Sequence, residues 1–497
     1  GDILMEKRPE QERIRIEKIK YLEEKGIRPF GQRFDRTANS KTIIEDFDSY
    51  TKEELENQEH KVKVAGRMIA KRRQGKIGFI NLLDKFGTIQ CYISKEILGE
   101  ENYDVFIKSD IGDILGIEGT IMRTNTGQIT VRCLVFTHLS KAIKPLPEKF
   151  HGLQDVEEAR RRRYVDLIVN EESRKVAFMR PKIIRAIQHF FDNQGFVEVE
   201  TPVLQPILGG AAARPFVTHH NALDMPFYLR IATELPLKRL IVGGMEAVYE
   251  IGRLFRNEGV DARHNPEFTT VEAYLAYSDM EGMMNLVEDF FKKVSLEVLG
   301  TTSVEFDGHT YDLSKFERIH MVDLIKRECG VDFWNPVSFE EAKELAKAHN
   351  IEVPAHFTGV GHIINAFFEK YGEEKLVEPT ILYGHPLEIS PLAMKNAKDP
   401  RFTDRFEVFI GGTEYANAFT ELNDPLDQMD RFTRQLQERT LGNDEACEID
   451  TDFVEALEYG MPPTGGIGIG IDRTIMLLTG KTNIRDVLLF PHNRNRS

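Results

Sequence analysis

Two strand-like runs flanking one polar loop near the middle of the chain restrict its fold more than any other feature. Val248-Tyr249-Glu250-Ile251 continues to Phe255, and a second run begins near Pro266 and extends through Tyr274. Gly259 and Asp261 between them suit a turn region, so the two runs are expected to pair antiparallel. The loop gathers Arg256, Arg263 and His264, with Glu258 and Phe268 beside them. Cations for phosphates, a hydrogen-bond acceptor and an aromatic face for a base are the parts a nucleoside triphosphate requires. A hairpin with a merely solvated charged loop accounts for the same residues.

A second pairing is expected at Arg405-Phe406-Glu407-Val408-Phe409-Ile410-Gly411-Gly412-Thr413-Glu414. Its two glutamates, seven positions apart, would lie on opposite faces of a straight strand. Gly411-Gly412 permits a turn that brings the chain back, and Glu407 and Glu414 can then meet. Two carboxylates facing a triphosphate suit Mg2+, a hard ion that keeps water and phosphate oxygens as its other ligands; surface charge is the plainer reading. Glu272 and Tyr274, two apart on a strand, share one face. With Asn417 and Glu421 they describe a pocket of two carboxylates and a phenol, which selects a cationic side chain; a guanidinium stays open beside an ammonium.

Gly465-Gly466-Ile467-Gly468-Ile469-Gly470-Ile471-Asp472-Arg473 reads as a strand that a ligand can approach closely, followed by a helix that Asp472 or a neighbour caps. It is not G-x-G-x-x-G, because Ile471 stands at the last glycine, and Thr479-Gly480-Lys481-Thr482 is not a P-loop, because Ile475 replaces its first glycine. Residues 173–194 show amphipathic helical spacing, with Pro181 expected to start or kink the helix. Phe196 to Pro202 reads as a strand, Gly209 to Phe216 as a small-residue loop, Tyr228 to Ala232 as a strand, and Thr233-Glu234 opens a helix through Leu240. Residues 280–380 carry no chemistry that can be isolated and read as support.

Nearer the start, residues 6–28 read as a helix of mixed charge, either a basic strip for RNA built on Lys7, Arg8, Arg13, Arg15, Lys18 and Lys20 or a solvated helix. Five short strands with a small helix near 95–107 follow between about 60 and 140, the pattern of an OB-fold barrel. Such barrels bind single strands by stacking bases. Phe79 would supply stacking, Gln90 base-edge bonding, and Arg67, Lys71 and Arg72 phosphate contacts; Phe79 as a barrel core residue is the alternative.

At 497 residues two or more domains are expected. The formal charge of −15 argues against indiscriminate nucleic-acid binding but not against a local basic face. Cys91, Cys133, Cys329 and Cys447 form no C-x-x-C pair, which argues against a structural zinc and for a reducing compartment. With no long apolar run and no signal pattern at Gly1-Asp2-Ile3-Leu4, a cytoplasmic protein with no membrane partner is expected.

The motifs together resemble those of class II aminoacyl-tRNA synthetases, and of the bacterial lysyl family in subclass IIb. Phe255-Arg256-Asn257-Glu258 with Arg263-His264-Asn265-Pro266-Glu267-Phe268 resembles motif 2, residues 174–202 motif 1, and 465–478 motif 3. The resemblance implies an α+β fold: an antiparallel catalytic sheet with flanking helices over 149–497, after an anticodon-binding OB-fold domain over 1–148. It implies activation of L-lysine with ATP, transfer to tRNA(Lys), Mg2+ as cofactor and a homodimer built on motif 1. By the same resemblance Arg256 holds the carboxylate and α-phosphate, Arg473 the γ-phosphate, and Glu258, His264, Asn265 and Phe268 the rest of ATP, with Glu407 and Glu414 as metal ligands. Gly210 and Glu234 receive the α-ammonium, Glu272, Tyr274 and Glu421 the ε-ammonium, and Asn417 belongs to the same pocket. Arg67, Phe79 and Gln90 belong to the anticodon site. An aspartate or asparagine relative, disfavoured by the acidic pocket, and a non-catalytic relative, disfavoured by the intact arginines, are the alternatives.

Overall fold

The computed structural model describes residues 8–147, 155–443 and 449–492. Lys7, the expected boundary at 148/149 and Cys447 fall outside them. The chain divides into two compact units, Gly1–Gln154 and Asp155–Ser497.

The first unit is a closed barrel of β1 (Lys61–Gln74), β2 (Ile77–Leu83), β3 (Thr88–Ser94), β4 (Ile114–Arg123) and β5 (Ile129–Ser140), in the order β1-β2-β3-β5-β4. Alternation along the strands sends Met68, Ile80, Cys91, Ile93, Ile117 and Val131 inward. Phe79 is not among them. It pairs across the strands with Arg72 and Tyr92 on the outer, half-buried face, which corrects its reading as core. The leading helix is shorter than expected, Glu10–Glu24, and ends where Gly26 takes φ +71°. Two of its basic residues are bonded inside the unit, Lys18 to Asp110 at 2.6 Å and Arg15 to the Ile111 carbonyl at 3.1 Å, and Arg8, just before the helix, bonds to Glu12 at 2.9 Å.

The second unit is built on an eight-stranded sheet. Its strands are β6 (Val197–Glu198), β10 (Ala247–Phe255), β11 (Glu267–Ala276), β14 (Glu317–His320), β15 (Thr380–Tyr383), β16 (Arg405–Ile410), β17 (Thr413–Thr420) and β18 (Thr464–Gly470). The order is β14-β15-β16-β17-β18-β11-β10-β6, antiparallel except for the parallel pairs at either edge. Three short strands, β7 (Leu204–Gln205), β8 (Val217–His220) and β9 (Met225–Leu229), make a separate sheet, and β12 (Ser303–Phe306) pairs with β13 (His309–Asp312).

The helix Glu171–Asn193 begins at an Asn170 cap and runs through Pro181, so the proline does not start it. Losing one backbone donor is outweighed by burial of Val176 before it and Ile183, Ile187, Phe190 and Phe191 after it. Phe191 stacks on Tyr249 of β10 at 5.0 Å, and Phe290 of the neighbouring helix Met280–Leu299 meets Phe190 edge-on at 5.4 Å.

Two strand expectations are corrected. Pairing after Phe196 covers only Val197–Glu198, because Thr201 turns its N–H to the Glu250 carboxylate and Pro202 has none to give. The run from Tyr228 ends as a strand at Leu229, where Arg230 becomes a buried partner of Glu250 at 2.8 Å. The stretch 280–380 contributes, with Met321–Cys329, Phe339–Ala348 and Val360–Tyr371, a helical layer with its own core around Phe333, Ile363 and Phe367.

Candidate active site

The hairpin β10–β11 pairs without a break from Ala247↔Leu275 to Phe255↔Glu267. Arg256 closes its mouth by donating its N–H to the Pro266 carbonyl at 2.8 Å. The loop is folded around Asp261, whose carboxylate accepts from the N–H groups of Arg263 and His264 and from the His264 ring. His264 therefore lies on the cavity wall with its Nδ1 already engaged. Asn265 donates to the Glu267 carbonyl at 2.6 Å, while its buried Oδ1 has no partner.

The Arg256 guanidinium lies over the Phe268 ring at 5.1 Å, and its buried Nε is likewise unpartnered. Burial pulls its pKa down, and the carboxylates of Glu258, Glu414 and Glu272 oppose that pull. A buried cation with a free donor has the form of an anion site. Arg473, in the first turn of the helix Ile471–Thr479, reaches the Glu414 carbonyl at 2.7 Å. Asp472 does not cap that helix, as expected of it. Its carboxylate instead accepts from the Thr269 N–H at 2.6 Å and from Arg180 at 2.7 Å, locking this helix to β11 and to the long helix.

Gly411 and Gly412, at φ +61° and +69°, make the two-residue turn between β16 and β17. Val408 pairs with Ala416 but Phe409 with Glu414, so Tyr415 is an extra residue. By this register Glu407, Glu414 and Asn417 share one face. Burial would raise the Glu407 carboxyl, but His385 at 3.3 Å and Arg405 at 2.8 Å hold it down to about 2. Burial and the Glu407 charge push Glu414 up to about 7. A divalent cation would relieve Glu414, and an all-oxygen pair suits Mg2+. Among the described residues no group of three or more His, Cys, Asp or Glu is arranged to hold a metal alone, so the remaining ligands would come from phosphate and water.

The other end of the cavity is acidic. On β11 the Tyr274 hydroxyl donates to Glu272 at 3.1 Å. Burial and the Glu234 charge raise the Glu272 carboxyl to about 7. Glu421 and Glu234 meet on Lys238, which sequence reasoning missed: its Nζ is 2.5 Å from Glu421 and 2.7 Å from Glu234, fully buried. The available signal was the i,i+4 spacing of Glu234 and Lys238 on one helix. Asn417 lies between the two ends, its carbonyl accepting from Arg405 at 3.0 Å. Gly210, at φ +90°, stands at the rim. Gly466 leaves the space the acids occupy: a β-carbon there would be 2.0 Å from Glu421 Oε1 and 2.5 Å from the Tyr274 ring.

A single cavity of about 350 Å3 is lined by Arg256, Glu258, His264, Asn265, Phe268 and Arg473 at one end and by Gly210, Glu234, Glu272, Tyr274 and Glu421 at the other, with Glu414 and Asn417 between. Glu407 is the exception. It lines an adjoining cavity of about 580 Å3, which shares Glu414, Arg256 and Asn417 and is walled by His362 and Glu438.

In the barrel, Gln90 is buried, donating to Thr130 at 2.9 Å and accepting from Arg72 at 3.4 Å. Arg67 donates to the Gly112 carbonyl at 2.9 Å. Lys71 is not placed for phosphates: it is bonded to the Phe106 and Ile107 carbonyls that end the helix Lys95–Lys108, and burial lowers it to about 8. Tyr92, 5.4 Å from Phe79, and Arg132 opposite Tyr92 extend the outer face and were missed, though Tyr92 alternates in phase with Gln90.

Both units match known families. Residues 155–494 match the family described as tRNA synthetases class II (D, K and N), and residues 62–139 match an OB-fold nucleic acid binding domain. A lysine--tRNA ligase of Lactococcus lactis subsp. lactis is 58% identical over 483 residues, covering 97% of this chain and 98% of the relative. That of Listeria monocytogenes is 58% identical over 484 residues, 97% of each chain. That of Bacillus subtilis is 56% identical over 488 residues, 98% of each.

Proposed function

Because the chain belongs to the class II tRNA synthetases, and within them to the lysine--tRNA ligases, we propose that the two-ended cavity joins L-lysine to ATP and passes the product to tRNA(Lys). The observation that carries the residue assignments is the joining, in one cavity, of an arginine with a free buried donor to a pocket of three carboxylates. An aspartate or asparagine side chain would meet like charge or unsatisfied acids there.

Lysine's carboxylate is already ionised and needs no general base. It attacks the α-phosphorus, the bond to the β-phosphate oxygen breaks, and pyrophosphate leaves. Arg256 orients the carboxylate and the α-phosphate, and Arg473 holds the γ-phosphate, with Glu258, His264, Asn265 and Phe268 around the nucleotide. Glu234 and the Gly210 carbonyl take the α-ammonium; Glu272, Tyr274 and Glu421 take the ε-ammonium, beside Asn417. Mg2+, held by Glu407 and Glu414, would offset the phosphate charge. Positioning and preorganised charge supply most of the rate. The 3′-terminal hydroxyl of tRNA then attacks the lysyl carbonyl and AMP leaves.

Phe79 and Gln90, with Arg67, are assigned to the anticodon, supported by the outward aromatic pair. A homodimer through the long helix and the strand after it is assigned on the resemblance of that segment to motif 1. A cytoplasmic location is supported by free Cys91, Cys133 and Cys329, and no helix among the described residues is long and apolar enough to cross a membrane. Pyrophosphate exchange into ATP, run with each of the twenty amino acids, tests the reading. Exchange with lysine alone supports it, and exchange with aspartate or asparagine rejects the pocket assignment. Sedimentation velocity tests the dimer.

A further inference from the structure

Resting on the lysine-activating reading, we propose that Lys238 is the pocket's internal counter-cation, a positioning residue that pins one oxygen each of Glu234 and Glu421 and so tunes the pocket to an amino acid with two ammonium groups. Lys238 projects from the helix Glu234–Val242 one turn beyond Glu234. Its ammonium is 2.7 Å from Glu234 Oε1 and 2.5 Å from Glu421 Oε2, carboxylates brought together from a helix and from the end of β17. The rings of Phe419 and Phe453 stand 5.7 and 5.4 Å from it and keep water away. No part of its side chain reaches solvent.

The charge count explains why a lysine is built into a lysine site. Glu234, Glu272 and Glu421 line the same cavity end and carry three negative charges when ionised. Lys238 offsets one, and the two left match the α- and ε-ammonium groups of the ligand. Without Lys238, three buried carboxyls face one another, and at least one takes a proton and turns from acceptor to donor. Glu234 and Glu421 also lose the atom that holds them apart. Glu421 Oε1, above Gly466, is the oxygen left for the ligand, and its position depends on Oε2 being held by Lys238.

The test uses the full chain with Lys238→Met, which fills the volume without the charge, and Lys238→Ala, which removes a propylammonium-sized piece. Exchange by the wild type with lysine comes first and tests the reading beneath this one; its failure rejects that reading, whereas failure confined to the variants' behaviour rejects only the role of Lys238. The expected result for K238M is a lysine KM raised about 100-fold, on the scale of breaking a buried ion pair, with the ATP KM changed less than about 3-fold, a shift too small for loss of a nucleotide contact. For K238A, added n-propylammonium restores much of the lysine KM and 1-propanol does not. A wild-type lysine KM in K238M overturns the proposal, as does a K238A defect that propylammonium leaves unchanged. If K238A does not fold, K238M decides alone; if neither folds, Lys238 is a structural residue and the proposal fails.

Discussion

On the proposed assignments, the cavity of the second unit and the outer face of the barrel would meet their ligands in different states of readiness. In the cavity the side chains are fixed by long-range bonds, such as Asp472 to Arg180 or Lys238 to Glu421, while Arg256 Nε and Asn265 Oδ1 are left without partners. On the barrel, Gln90, Arg67 and Lys71 spend their polar atoms inside the protein, and the aromatic pair Phe79–Tyr92 is what faces outward. A small charged ligand must find donors already placed, because reorganising buried charge is costly. A single strand brings exposed bases that stack on any well-placed ring. Readiness is therefore a property of what is bound.

The largest test of that contrast is Arg256→Ala. Lysine-dependent exchange should fall about 100-fold or more, while binding of an isolated anticodon stem-loop stays unchanged; near-normal exchange would remove Arg256 from the reaction. Next comes Gly466→Ala, whose methyl would stand 2.0 Å from Glu421 Oε1. The lysine KM should rise roughly 30-fold, the scale of overpacking, with the ATP KM unchanged. Equal rises in both would mean the sheet, not the pocket, had shifted.

The pH response is smaller. Glu272 is raised to about 7, and an ammonium binds its ionised form. Below that value the carboxyl is protonated and binds poorly; above it the full charge is present. The lysine KM should thus fall at least about 10-fold from pH 6 to 8, with Glu421, pushed up to about 8 by burial, adding to the slope, and Glu272→Gln should leave only that part of the slope, at a high KM. A wild-type KM that rises with pH in this range would contradict the assignment. Smallest of all, Phe79→Ala should raise the tRNA KM in aminoacylation about 5-fold, one stacking contact, leaving exchange untouched. An exchange defect would show the barrel residue acting on the chemistry.

Much of the frame was legible because it is written locally. The β10–β11 hairpin follows from alternation and its loop residues, and the β16–β17 turn from two adjacent glycines. The barrel follows from five short strands. What was not legible depends on partners distant in sequence. Lys238 reads as one more helix-surface cation until Glu421 arrives from 183 positions away. His385 reads as a loop residue until β16 carries Glu407 to it. Asp472 has the side chain of a cap, yet it stands inside the helix that Gly470 precedes, and Thr269 and Arg180 claim its oxygens. Pro181 has the local signal of a helix start, and core contacts on both sides override it. Local rules predicted elements well and predicted which atoms were spoken for poorly.

Tyr415 has a consequence for how this chain can change. As the extra residue in β17, it acts as a phase shifter: Glu414 before it and Asn417 and Glu421 after it would otherwise point to opposite sides of the sheet. On the proposed assignments, phosphate chemistry and amino-acid choice share one strand in two phases, joined by a single residue. Deleting Tyr415 would turn one set of ligands away from the cavity while every side chain needed remained in the chain. Amino-acid choice can drift by exchanging side chains along this strand, but its length between Glu414 and Glu421 is not free to vary.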